Sequence, residues 1–133
     1  MAHFGHCLCG RVRFEISSDP LWVGYCHCAS CRRHTASPVA AFAGFDENNV
    51  KFLLKTPQSY ESSPDTWRSF CGNCGSPICY RSRRYPRQIH FYIGVMDQPE
   101  QYVPQGHAYF SEHVEWFDTR DGLARHERTG SEA

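Results

Sequence analysis

Cys26-His27-Cys28-Ala29-Ser30-Cys31-Arg32-Arg33 is the stretch that decides the fold of this chain. Its thiols stand at i, i+2 and i+5. They converge on one point if Cys26 ends a strand and 28–31 turns back, the knuckle geometry that suits a tetrahedral Zn²⁺. Such a knuckle supplies three ligands to an ion that takes four. Either a distant residue completes the site and makes it structural, or the fourth position stays open to water or a substrate atom.

The flanks fit a knuckle between strands. Leu21 to Tyr25 is a short apolar run that would deliver Cys26 at a strand end, and the segment from Cys28 to Thr35 has no Gly or Pro, which predicts a short helical turn ending before Pro38. Val39 to Phe45, almost wholly apolar, reads as a buried strand. Upstream, Val12, Phe14 and Ile16 alternate with Arg11, Arg13 and Glu15, the period of a half-buried strand. Just before it, Cys7-Leu8-Cys9-Gly10 places two thiols on one side of an extended segment.

Further strands are predicted over 50–54, 58–61 and 66–70. The last runs into a second knuckle, Cys71-Gly72-Asn73-Cys74-Gly75. Strands follow over 78–80 and 88–95, separated by a basic surface loop at 81–87. The stretch 96–106 reads as a long loop, 118–125 as a short helix, and the tail from His126 as frayed. Tyr109, Phe110, Trp116 and Phe117 are expected in the core. The pattern is that of one all-β domain over 1–133, with its core in about 6–117, pinned by metal.

Fourteen basic residues balance fourteen acidic ones, so no chain-wide field attracts nucleic acid or an anionic membrane. Arg81, Arg83, Arg84 and Arg87, with Tyr80 and Tyr85, read as a solvated loop rather than a nucleic-acid surface. No stretch reaches the length of a membrane span, and a cytoplasmic setting is expected. Eight cysteines are too few for a disulfide scaffold, and their C-x-C and C-x-x-C spacings favour metal ligation.

Seven of the eight thiols sort into two sets: Cys7, Cys9, Cys71 and Cys74 as a closed structural site, and Cys26, Cys28 and Cys31 as a trio. The fourth ligand of the trio stays open between Cys79, His27, His34, His90, His107, His113 and a guest molecule. Cys79 itself reads as a small buried hydrophobe. A zinc on three thiolates has a formal charge of −1 and suits a soft ligand such as a small-molecule thiol. Arg32 and Arg33 would offset that charge or grip substrate carboxylates.

In order and spacing, the Cys7–Gly10, Cys26–Arg33 and Cys71–Pro77 motifs resemble the glutathione-dependent formaldehyde-activating enzyme family, which also includes centromere protein V. The resemblance runs from about His6 to Trp116, and Gly94 to Asp97, Pro104, His107 and Trp116 are similar to the family's C-terminal pattern. It implies a β-tent of small antiparallel sheets, related to methionine-R-sulfoxide reductase-like folds, with two zinc ions. Cys7, Cys9, Cys71 and Cys74 would hold the structural ion, and Cys26, Cys28 and Cys31 the catalytic one. The implied activity is a carbon-sulfur lyase type, joining glutathione or a similar thiol to formaldehyde or another small electrophile. Two other readings fit the residues: a non-catalytic zinc module for a protein or nucleic acid partner, and a sulfoxide reductase-like redox enzyme using Cys79 or a trio thiol.

Overall fold

The computed structural model describes residues 1–130. In chain order these form β1 (His3–His6), β2 (Arg13–Ile16), β3 (Trp22–Cys26), α1 (Ala29–Thr35), β4 (Ala40–Asp46), β5 (Val50–Phe52), β6 (Gln58–Ser63), β7 (Thr66–Phe70), β8 (Pro77–Ser82), β9 (Gln88–Tyr92), β10 (Gly106–Ala108) and β11 (Ala124–Arg125). The strands pair into a three-stranded sheet, β1-β2-β5, and an eight-stranded sheet, β11-β10-β3-β4-β9-β8-β7-β6. The mainly β expectation holds, with one refinement. The large sheet is mixed, because β10 runs parallel to both β3 and β11.

The main core lies where the small sheet meets the large one. Val12, Phe14 and Ile16 are all buried, as their alternation predicts, and the Phe14 ring stacks on Phe91 of β9 with centroids 4.3 Å apart. Cys7 and Cys71 belong to this cluster. Cys31 belongs to a second one with Ala40, Phe42 and Tyr92, against which Trp22, Cys26, Cys28 and Tyr80 pack. Each thiol set is therefore built into a different apolar cluster.

β1 was not legible from its sequence, His-Phe-Gly-His, yet it pairs with β2 through Gly5 opposite Phe14. A Cβ on Gly5 would intrude on both the Phe14 ring and the Val95 carbonyl. Gly5→Ala is thus an overpacking change hemmed in partly by backbone, and it should cost about 1–3 kcal/mol in urea unfolding. An unchanged denaturation midpoint would show that β1 is not held as tightly as this packing requires.

The C-terminal region departs most from expectation. No helix forms over 118–125, because the Asp118 and Asp121 carboxylates accept from the backbone N–H groups two residues on, Arg120 and Leu123. These Asx turns compete with helix formation, and Arg120 and Gly122 both have positive φ. The tail over 126–130 is also not frayed. His126 N–H donates to His107 O, Phe110 N–H to His126 O and Tyr109 N–H to Arg128 O; the remainder of the expected tail, 131–133, lies outside the described residues. Nor is the aromatic run core, since Trp116 is 76% exposed. β8 extends to Ser82, so the basic loop is only a short turn after it. Arg81, in β8, pairs with Glu47 and Arg83 with Asp65, whereas Tyr80, Arg84 and Tyr85, also expected on a solvated loop, line the cavity described below.

Candidate metal centres and the cavity beside one of them

The two outer motifs meet in space. The Sγ atoms of Cys7, Cys9, Cys71 and Cys74 all lie within 4.8 Å of one another, Cys7 to Cys9 at 3.6 Å and Cys9 to Cys71 at 3.8 Å. A tetrahedral ion with metal–sulfur bonds of about 2.3 Å requires sulfur–sulfur edges of about 3.8 Å, so these four positions fit zinc. Backbone amides are aimed at the sulfurs: Val12 N–H donates to Cys7 Sγ, and Asn73 and Cys74 N–H to Cys71 Sγ. Such donors favour the thiolate form that a metal needs. The Ser76 hydroxyl, 3.2 Å from Cys74 Sγ, is the main cause that brings the Cys74 thiol down to about 5. The positive φ of Gly75 lets the second knuckle close, and its N–H bonds back to Cys71 O. Completeness here comes from the ligand count and not from depth, since Cys9 is exposed.

The trio is also assembled as its spacing predicts. β3 ends at Cys26, the chain turns, and Cys28 caps α1, its Sγ accepting from Cys31 N–H at 3.4 Å. The helix stops at Ala36, in the left-handed region with φ 55°, two residues before Pro38. The Sγ atoms of Cys26, Cys28 and Cys31 lie within 4.8 Å of one another. Hydrogen bonds from the Cys26 and Cys31 thiols draw the Cys28 thiol down, whereas the bond to Cys28 drives Cys26 upward.

Among the described residues no fourth Cys, His, Asp or Glu ligand joins the trio. The residues left open by sequence are occupied elsewhere. His34 Nδ1 meets the Tyr92 hydroxyl at 2.6 Å, His90 Nε2 meets Gln88 Oε1 at 2.8 Å, and His113 Nδ1 meets Phe110 O at 2.7 Å. Cys79 sits in the main core, and burial pushes its thiol up to about 12. It has the character of a small hydrophobe, and that removes the basis for a nucleophilic Cys79.

His27 and His107 form a relay that sequence reasoning did not find. His27 Nε2 and His107 Nδ1 are 2.8 Å apart, and His107 Nε2 lies 3.0 Å from Asp121 Oδ2. With Asp121 ionised, the hydrogen-bond chain assigns His107 as the Nε2–H donor to Asp121 and His27 as the Nε2–H donor to His107. Burial first, and the neighbouring His107 second, lower the His27 pKa to about 4, so it is neutral at physiological pH. The relay ties the last segment of the chain to the residue between two trio cysteines. Only the parallel β10–β3 pairing, with His107 opposite Tyr25, makes it possible.

Cys26, Cys28 and Cys31 open onto a cavity of about 640 Å³. Its lining is largely aromatic, with Trp22, Phe42, Tyr80, Tyr85 and His90, and its arginines are Arg68 and Arg84. His126 and Thr129 from the C-terminal segment close one side. Arg32 and Arg33 do not line it. They stand in the last turn of α1, where cations suit the helix dipole, and Arg32 Nε donates to His27 O. The guanidinium beside the trio is instead Arg68, 3.3 Å from Cys31 Sγ. Its neighbours in sequence, Thr66 to Phe70, carry no signal that would single it out; only β7–β8–β9 pairing brings it there.

Comparison with known proteins places this arrangement in a family. The family model for glutathione-dependent formaldehyde-activating enzymes matches residues 2–112. An "Uncharacterized lyase" of Schizosaccharomyces pombe is 30% identical over 91 residues, 67% of this chain and 66% of that protein. A protein of Halomonas elongata named "Putative glutathione-dependent formaldehyde-activating enzyme" is 27% identical over 101 residues, 70% of this chain and 64% of its own. The chain thus spans about two thirds of the length of these relatives. A crystal structure of a Rhodobacter sphaeroides protein has the same fold, with a TM-score of 0.60 at 19% identity, over 92% of this chain and 98% of that one. No helix among the described residues is long and apolar enough to cross a membrane. With both cysteine motifs inside the matched span, the chain belongs to the glutathione-dependent formaldehyde-activating enzyme family.

Proposed function

We propose that this protein is a carbon-sulfur lyase-type enzyme that joins glutathione or a similar thiol to formaldehyde or another small aldehyde. The observation that carries this reading is the contrast between the two thiol sets. Four sulfurs form a complete ligand set away from the cavity, whereas three sulfurs line the cavity with no fourth protein ligand among the described residues. Cys7, Cys9, Cys71 and Cys74 would hold a structural zinc, and Cys26, Cys28 and Cys31 a second one. When bound at the trio, zinc would lower the pKa of a guest thiol at its open position.

The chain's own residues do the rest. The aromatic side chains give the cavity an apolar lining, and Arg84 offers a cation of the sign that a carboxylate of a glutathione-type thiol requires. In the reaction the thiol sulfur bonds to the carbonyl carbon, and the proton that leaves sulfur ends on the carbonyl oxygen. Arg32 and Arg33, placed outside the cavity, would act only through α1. Seven of the eight cysteines sit in two metal-ligand groups, an arrangement that suits the reducing conditions of the cytoplasm.

The test is metal analysis joined to an assay. Protein purified under reducing conditions should hold about two zinc ions per chain and speed the equilibration of glutathione and formaldehyde with S-(hydroxymethyl)glutathione, followed by NMR. A single ion per chain, or two ions with no acceleration for any thiol and aldehyde tried, would leave a zinc-stapled binding module.

A further inference from the structure

Arg68 is a buried cation without a carboxylate partner. Its side chain is only 6% exposed, and among the described residues no Asp or Glu lies within salt-bridge distance of it. Its Nη1 donates to Cys31 Sγ at 3.3 Å and to the Tyr92 hydroxyl at 3.5 Å, and its Nε donates to Ser62 Oγ at 3.2 Å. Its guanidinium also lies over the Tyr80 ring, 5.0 Å from the centroid. Serine and tyrosine hydroxyls are neutral, and a ring quadrupole is a weak partner for a full charge.

An arginine cannot shed its proton to escape this environment. A buried ion left uncompensated is strongly destabilising, so a cation kept in this position calls for a partner of opposite charge. Among the described residues, the group within reach that can carry opposite charge is the trio itself. Three thiolates and a divalent ion sum to −1, and one guanidinium brings the buried assembly to zero.

We propose that Arg68 is the built-in counter-ion of the Cys26, Cys28 and Cys31 site, a positioning residue whose charge sets how tightly that site holds a divalent metal. The inference rests on the reading of the trio as a metal site. It makes β7 a working part of the centre even though it supplies no ligand. The same pairing orients Cys31: Nη1 bridges its sulfur to Tyr92, which in turn bonds His34 on the helix that carries Cys31. Removing the cation would leave the sulfur set with an excess of buried negative charge and one hydrogen bond fewer.

The experiment is a zinc titration against a competing chelator, resolved into the two sites, on wild type, Arg68→Met and Arg68→Lys. Met keeps the apolar length without the charge, and Lys keeps the charge without the fork. Arg68→Met is expected to bind the trio ion about 10- to 100-fold more weakly, the range seen for outer partners of metal ligands, while the four-cysteine site is unchanged. Arg68→Lys should recover most of that loss. A filler role would lower the melting temperature without changing the ratio of the two affinities.

Equal trio affinity in Arg68→Met and wild type overturns the proposal, as does an equal loss in Met and Lys, which would make the role one of shape alone. If Arg68→Met does not fold, Arg68→Lys decides: trio affinity within a few-fold of wild type supports the counter-ion, and a tenfold loss in a folded variant overturns it. Failure of the underlying reading looks different, since wild-type protein would then bind one ion only.

Discussion

Cys71→Ser is expected to abolish cooperative folding. Cys71 is 2% exposed, belongs to the main core, and accepts from two backbone amides of its own knuckle. It also joins chain segments far apart in sequence, since its sulfur meets that of Cys9 across 62 positions. A structural zinc site contributes about 10–16 kcal/mol at neutral pH. That matches or exceeds the whole stability of a typical domain, about 5–15 kcal/mol. Even a partly retained three-ligand site would forfeit most of it. Thermal unfolding followed by circular dichroism is the measurement. The expected trace has no cooperative transition above room temperature, and a melt within a few degrees of wild type would show that the four-cysteine site does not hold this fold together.

Cys28→Ser should behave in the opposite way, with the fold kept and the chemistry lost. Cys28 is the N-cap of α1, and its sulfur accepts from Cys31 N–H. Serine is among the best N-cap residues, so the helix start survives the change. What disappears is a soft anionic donor from a set of three among the described residues. Expected results are one zinc ion per chain in place of two, a melting temperature within a few degrees of wild type, and a drop of about 10³-fold in rate. That factor corresponds to about 4 kcal/mol of lost transition-state stabilisation. Cys79→Ala, a change in the main core far from any ligand role, should keep both ions and the rate. A Cys28→Ser variant with both ions and undiminished activity would remove the trio from the mechanism; an inactive Cys79→Ala that still binds two ions would revive the redox reading.

Much of the site was legible because its geometry is local. Thiols at i, i+2 and i+5, or at i and i+3 with a following glycine, have few ways to converge other than around an ion, and the alternation of Val12, Phe14 and Ile16 marks which side of β2 is buried. The reading of 118–125 failed because apparent helix propensity ignored two aspartates that bond their own backbone. Arg32 and Arg33 drew attention by adjacency, but adjacency on a short helix points successive side chains in different directions. Both ended at its C-terminal turn.

By itself, then, the sequence determined the two thiol sets, their division into four and three, and the mainly β scaffold around them, since each depends on spacing within a few residues. Only the tertiary structure decided which cation lies beside the trio, which histidines meet, and that the three-sulfur set faces a cavity. Those depend on strand order. Arg68 reaches Cys31 through β7, β8 and β9, and His107 reaches His27 through a parallel pairing 80 residues on in the chain. Contacts of that range carry no local pattern, because the energy that selects them is the burial of whole sheets against one another.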